Sequence, residues 1–550
     1  MGGERSVSPA DMRFNHSRDH PGVSDSVNTD CELKQEGKGN MKMYRCKGTI
    51  TVFLSIVSIL FLSLACTLVE SARLQGARAK AAAVSDISLF SVFGEYERGL
   101  LKNYDVFFLD GGYGSGEFQK ELAEEHLKKY LEGNSSMGME GYLRGMQMFP
   151  LVVEDCQIEQ YGLMTDAGGA AFYEQVVKNV KETLGTELVS RYLERQNQAK
   201  DQEKAGKDYE DSLRKNGTKL AEAEEAVRKT EEASQEDGVI VVKESEAPQE
   251  VKENPLDIIE KVKKMGILGL VVKDPASVSQ KTIEKSELPT GRSLEKGNME
   301  VACKESGLTA DAIFQDYLAE HFPCMTSEEE KKTEGALEYQ LEYILGGKAS
   351  DMENLKYVVN RLLLMREGTN FVFALADPTM RRQAEALAVS LAGVTGAAIL
   401  APVVTTALLL AWAYGESLLD VRTLLSGGKV ELVKNAENWK LSLSRLGKIL
   451  EVLKECDEGG GQGLGYEEYL RLLLAAKSGM SYVMRTLDMI EADLRLQKGT
   501  ENFQADHCLV RVQAKTEWRL PAVFLRVPMA FLGRGGNGQN FSVNGYSGYL

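Results

Sequence analysis

The sequence predicts a predominantly helical α+β protein. An N-terminal transmembrane helix continues into an extracytoplasmic domain that carries a C-terminal antiparallel sheet and an inserted helical arm. Three observations predict it. An uncharged apolar run fills residues 48–69, helical apolar spacing recurs from Ala170 to Leu496, and Val510, Val512 and Ala514 alternate with Arg511, Gln513 and Lys515. At 550 residues the chain is long enough to bury a sizeable core, and 43% hydrophobic content with only 12 prolines excludes a disordered chain. A mean hydropathy of −0.25 excludes a polytopic transporter. The net charge of −16 excludes broad, non-specific nucleic-acid binding, which needs a basic surface to displace counterions, so nucleic acid is not expected among the partners.

Residues 1–47 are polar, mixed in charge and without apolar periodicity, which predicts a disordered tail. Residues 48–69 contain thirteen Leu, Ile, Val or Phe residues and no charge. As a helix the run measures about 33 Å, enough for a hydrocarbon core of about 30 Å. Lys38, Lys42, Arg45 and Lys47 precede it, and Glu70 follows directly. The positive-inside rule then predicts a cytoplasmic tail and an extracytoplasmic remainder at a bacterial cytoplasmic membrane, with the lipid bilayer as first partner. A retained anchor is preferred to a cleaved signal peptide, whose apolar core is usually about 7–15 residues. Ser71–Val84 is rich in Ala and Arg, so the helix is expected to continue as a rod, with Ile87, Leu89, Phe90, Val92 and Phe93 docking it on the domain.

Residues 70–170 are read as that helix plus the first strands of the ectodomain, at Tyr104–Asp110 and Phe149–Tyr161. Residues 171–255 form a charged helical arm, in which Leu213, Leu220 and Val227 fall seven apart and Tyr209, Asn216 and Ala223 occupy weaker seam positions. A solvated hairpin or arm is preferred to a coiled coil there, and an oligomer contact through it is expected. Residues 256–460 are a helical region, with helices at Leu308–His321, Glu328–Leu345, Asp351–Leu364 and Trp439–Cys456. Within it, residues 386–415 carry no charge but nine alanines. The preferred reading is a buried or membrane-resting hairpin broken near Pro402, and a second span is the rival. Residues 461–550 supply a long helix over Tyr466–Leu496 and C-terminal strands at Val510–Lys515, Ala522–Phe531 and Phe541–Leu550.

No phosphate-binding glycine motif, H-E-x-x-H or G-x-S-x-G occurs. Gly111–Gly116 and Gly459–Gly465 read as loops, so neither a cofactor nor a catalytic residue is assigned, and no metal site is expected. His321 with Cys324 and Cys303 lacks a fourth ligand at useful spacing. Cys303 and Cys324 are the one close cysteine pair beyond the anchor and a candidate disulfide.

The run Lys47-Gly48-Thr-Ile-Thr-Val-Phe-Leu-Ser55, then Glu70-Ser-Ala-Arg73, Glu416–Arg422 and Gly545–Tyr549, resembles an uncharacterised membrane-anchored family of clostridial and related Gram-positive bacteria. Such proteins look like distant relatives of the pseudopilin-like components of tight-adherence (Flp-type) pilus systems. The resemblance implies Gly48 as the processing or anchor-entry position, and other envelope or pilus-assembly proteins as partners. Pilin-like proteins often carry Glu five residues after that glycine, where this chain has Phe53. The expectation is therefore a non-catalytic, membrane-anchored structural or assembly protein of pilus biogenesis or secretion. The alternative is an extracytoplasmic, carboxylate-dependent hydrolase of cell-wall or peptide substrates.

Overall fold

The computed structural model describes residues 47–136, 149–181, 187–236, 254–329, 332, 335–394, 400–455, 462–524 and 538–549. The tail before Lys47, with its expected disorder, lies outside them. The chain divides into two compact units, Met1–Ala65 and Cys66–Leu550.

In chain order the elements are α1 (Lys47–Phe93), α2 (Arg98–Tyr104), β1 (Leu109–Asp110), α3 (Lys120–Ser136), β2 (Val152–Leu163), α4 (Asp166–Lys181) and α5 (Glu187–Glu236). There follow α6 (Pro255–Lys263), α7 (Ile267–Val271), α8 (Leu308–His321), α9 (Gln340–Gly346), α10 (Asp351–Ala376), α11 (Pro378–Val394) and α12 (Ala401–Leu425). The chain closes with α13 (Ile449–Glu455), α14 (Tyr466–Ala475), α15 (Val483–Arg495), β3 (Cys508–Leu520) and β4 (Gln539–Gly548). This is the predicted α+β class.

β3 organises the sheet. It pairs antiparallel with β2 along one edge, and with β1 and then β4 along the other. Its even-numbered residues Val512, Ala514, Thr516, Trp518 and Leu520 are buried, as their alternation predicts. Its other face is polar, with Lys515 paired to Glu517 and Arg519 to Glu154. Where Gly162 opposes Arg511 and Leu163 opposes Leu509, Val510 has no opposite residue on β2. This bulge reverses the alternation, sending Cys508 and Val510 into the helical core while Leu509 stays in the core between sheet, α1 and α3.

The helical core is built on α10 and α12 with α4, α8, α14 and α15. Residues 386–415 fall on α11 and α12, an antiparallel-type hairpin whose second helix opens at Ala401-Pro402. Leu408 to Tyr414 are buried in this core, and so are the charged residues Glu416 and Asp420 that follow. Residues 395–399, Ala397 among them, lie outside the described residues.

Several expectations are corrected. The charged arm is one 50-residue helix, and its buried stripe is Tyr192, Ala199 and Gly206 with Gln202, Tyr209 and Asn216. Leu213 is 41% exposed. The heptad spacing serves docking onto α10, because the small residues Ala205 and Gly206 meet Leu364 and Gly368; a Cβ on Gly368 would stand 2.3 Å from the carbonyl carbon of Ala205. Tyr104–Asp110 is a strand only at its last two residues, since α2 extends to Tyr104 and Asp105 caps it in the left-handed region. Of the helix expected over 328–345, Glu329, Lys332 and Gln340–Gly346 are helical, and it is interrupted over 335–339, where Asp351 ties the 338 and 339 amides into a loop. Tyr466–Leu496 is two helices, broken where Asp311 captures the Gly479 amide and the Ser478 hydroxyl. Ala522–Phe524 are not in a strand; residues 525–531 lie outside the described residues, as do Cys456 and residues 459–461.

Candidate functional site

The continuation of α1 past the apolar run is where the sequence places its most specific demands. From Glu70 onward, residues 70, 73, 77, 81, 84, 85, 88, 89, 92 and 93 are buried, a stripe at three- and four-residue spacing. Ala77, Ala81, Ser85 and Ser88 are small enough for the helix to lie directly on the sheet. Gly545 of β4 lies beneath it, where a Cβ would come within 2.6 Å of Leu89 Cδ1 and the leucine would have to shift. Polar fastenings follow the stripe. The Ser85 and Thr516 hydroxyls share a hydrogen bond of 3.0 Å, and Trp518 Nε1 donates to Thr516 Oγ1 at 2.8 Å. Lys80 Nζ donates to the Ser135 carbonyl, Asn134 to Ser88 Oγ, and the Tyr549 hydroxyl to the Phe93 carbonyl. Of the five docking residues expected, Leu89, Val92 and Phe93 are buried; Ile87 and Phe90 point outward, 55% and 76% exposed, because they sit on the opposite side of the helix.

At the head of the stripe lies a buried ion pair. Arg73 Nη2 donates to Glu70 Oε1 at 3.0 Å and to the Pro521 carbonyl, and the Phe524 amide donates to Glu70 Oε2 at 3.1 Å. Both side chains are buried, 3% and 6% exposed. The pair thus clasps the end of β3 to the first turn of α1 beyond the apolar run. Sequence reasoning read Glu70 only as a flanking charge; its i, i+3 spacing to Arg73 was the available signal.

At the other end of α1, Glu95 gathers three side chains. Its carboxylate accepts from the Tyr130 hydroxyl at 2.8 Å and the Tyr113 hydroxyl at 3.1 Å, and contacts His126 Nδ1 at 2.8 Å. Burial and then Glu95 raise the Tyr113 pKa. The adjacent glycine loop closes on Asp110, whose carboxylate accepts the Gly112 and Gly114 amides at 2.9 and 2.7 Å. Those glycines therefore build a turn around a carboxylate, an arrangement that would repel a phosphate.

A polar cavity of about 860 Å³ lies between α2, α8, α9 and α15, lined by Tyr104, His321, Gln340 and Asp493 among others. Burial raises the pKa of Asp493. Its Oδ1 accepts the Ala336 amide at 2.7 Å and its Oδ2 the Tyr104 hydroxyl at 2.9 Å, while Gln340 Nε2 bridges both. Glu467, also on the wall, holds Arg471. Asp493 thus ties α15 to α2 and α9, and Glu467 braces Arg471 within α14.

Gly48 lies in the first turns of α1. Cys303 and Cys324 are free thiols, so the candidate bridge is not formed. Each sulfur is satisfied locally: Cys303 Sγ donates to the Glu305 carbonyl, and Cys324 Sγ sits against Thr326 and Ser327. His321 is used by Asp105 and the Tyr317 carbonyl, and no metal-ligating cluster occurs among the described residues.

These features define a helix-mounted α+β protein whose N-terminal helix is long and apolar enough to cross a membrane. Residues 245–520, half of the chain, match the family of unknown function DUF5702, and the chain belongs to that family. The matched region holds most of the helical core, without α4, and β3, but not α1. No curated protein and no solved structure matches the chain.

Proposed function

We propose that this chain is a membrane-anchored structural component of an extracytoplasmic assembly, without catalytic activity. Residues 48–69 span the cytoplasmic membrane, with residues 1–47 on the cytoplasmic side and the rest outside. One observation supports this most. The apolar side chains from Ile50 to Val69 are exposed, Phe53 and Phe61 by 68% and 67%, whereas the same helix beyond Glu70 is buried against the sheet. Such a continuous apolar surface calls for a non-aqueous surround.

The finer form of this reading is a part in pilus biogenesis or secretion, and it rests on the resemblance around Lys47–Ser55. Its partners would be other envelope proteins, with the charged helix α5 as the expected oligomer contact. Protease added to intact cells should digest the domain, alkaline carbonate should leave the chain in the membrane, and pull-down from membranes should recover envelope proteins. A soluble monomer without partners would overturn the proposal. Sequencing the mature N-terminus tests the pilus form, which expects cleavage at Gly48; an intact tail would remove it.

A further inference from the structure

We infer that Val523 and Phe524, just past the end of β3, form a second contact with the bilayer, entering the headgroup–acyl boundary of the leaflet from which α1 emerges. The inference rests on the reading of residues 48–69 as a span. Glu70 is the first charged residue after the apolar run, and it holds the Phe524 amide while Arg73 holds the Pro521 carbonyl. The zone between hydrocarbon and water is about 5–8 Å deep on each side of a bilayer. From Val69 to Arg73 a helix rises about 6 Å, so the clasped segment falls within that zone.

The chemistry of the segment suits lipid. Val523 and Phe524 are 48% and 41% exposed, and neither joins the two hydrophobic cores. The core demand on β3 ends at Leu520 and Ala522, which are buried, so nothing in the packing calls for two more apolar residues facing out. Glu70 and Arg73 neutralise each other beside them, leaving no net charge to oppose approach to the acyl region. A valine and an aromatic ring at this depth are what interfacial segments use to hold a surface.

The test uses the full chain in phosphatidylcholine vesicles, with and without lipids brominated in the acyl chain. Phe524→Trp is compared with Val433→Trp, an equally apolar position that is 66% exposed but belongs to the loop after α12. The Phe524→Trp emission, after subtraction of the native tryptophans, should be quenched about twofold more than that of Val433→Trp. Adding Val523→Asp should abolish the difference while the chain stays resistant to alkaline carbonate. Retention in the vesicles without extra quenching at 524 would overturn the contact alone. Release of the wild-type chain by carbonate would overturn the span, and the contact with it.

Discussion

Replacing Arg366 by methionine removes the hub of a charge network sealed inside the helical core. Arg366 is fully buried and donates to Asp420 Oδ2 through Nε and Nη2 at 3.0 and 2.9 Å, to the carbonyls of Glu431 and Leu432, and to Asn370 Oδ1. Lys434 balances the other half, 2.6 Å from Glu416 and 2.7 Å from Asp420. Burial alone would raise the pKa of Asp420, but Arg366 and then Lys434 pull it below the ordinary value. The four charges sum to zero in the native protein. R366M leaves one uncompensated negative charge and takes a donor from the Glu431 and Leu432 carbonyls, which should cost about 3–5 kcal/mol. R366M/D420N restores neutrality through Lys434 and Glu416, and Asn370 can still donate to the new amide oxygen. The double variant should therefore be more stable than R366M by about 1–2 kcal/mol, despite carrying one more change. Denaturant unfolding of the full chain in detergent measures this, followed by the emission of Trp412 and Trp439, which stack edge to face in the same core. A double variant less stable than R366M would refute the charge-balance argument.

Three further outcomes are expected. Gly368→Ala should destabilise the α5–α10 crossing by about 1–3 kcal/mol and expose α5 to limited proteolysis, because the added methyl overlaps the Ala205 backbone. Burial raises the Glu367 carboxyl to about 8, with Lys263 partly opposing it. The folded state thus holds that proton more tightly than the unfolded state, so this contribution is present below the unfolded value near 4.5 and lost as pH rises to about 8. Glu367→Gln should match the wild type near pH 5 and exceed it in melting temperature near pH 8.5; an unchanged difference between the two pH values would count against it. Cys324, its thiol pushed up to about 11 by burial, should alkylate at pH 8 only after unfolding, and the intact mass should be the same with and without reductant.

The apolar run, the rod that continues it, the α8 helix and the alternation of β3 were all legible because each is a local pattern. A charge-free stretch, a 3.6-residue repeat or a two-residue repeat declares which face wants burial before any partner is known. The charged arm shows where such reading stops. Its heptads were visible, but Leu213 looked like the better seam residue than Tyr209 or Asn216, and only the surface of α10 determined which face was used. The Glu70–Arg73 clasp and the Arg366 network were likewise out of reach. Each joins residues separated by dozens to hundreds of positions, and among 81 acidic residues no local rule selects the ones that will be buried. By itself, then, the sequence determined the long apolar N-terminal helix, the class of fold and most helices and strands, since hydrophobic periodicity is written residue by residue. The tertiary structure decided which charges are sealed inside, which thiols stay apart and how the N-terminal helix is clasped to the sheet, because burial and pairing belong to the surfaces that meet and not to either segment alone.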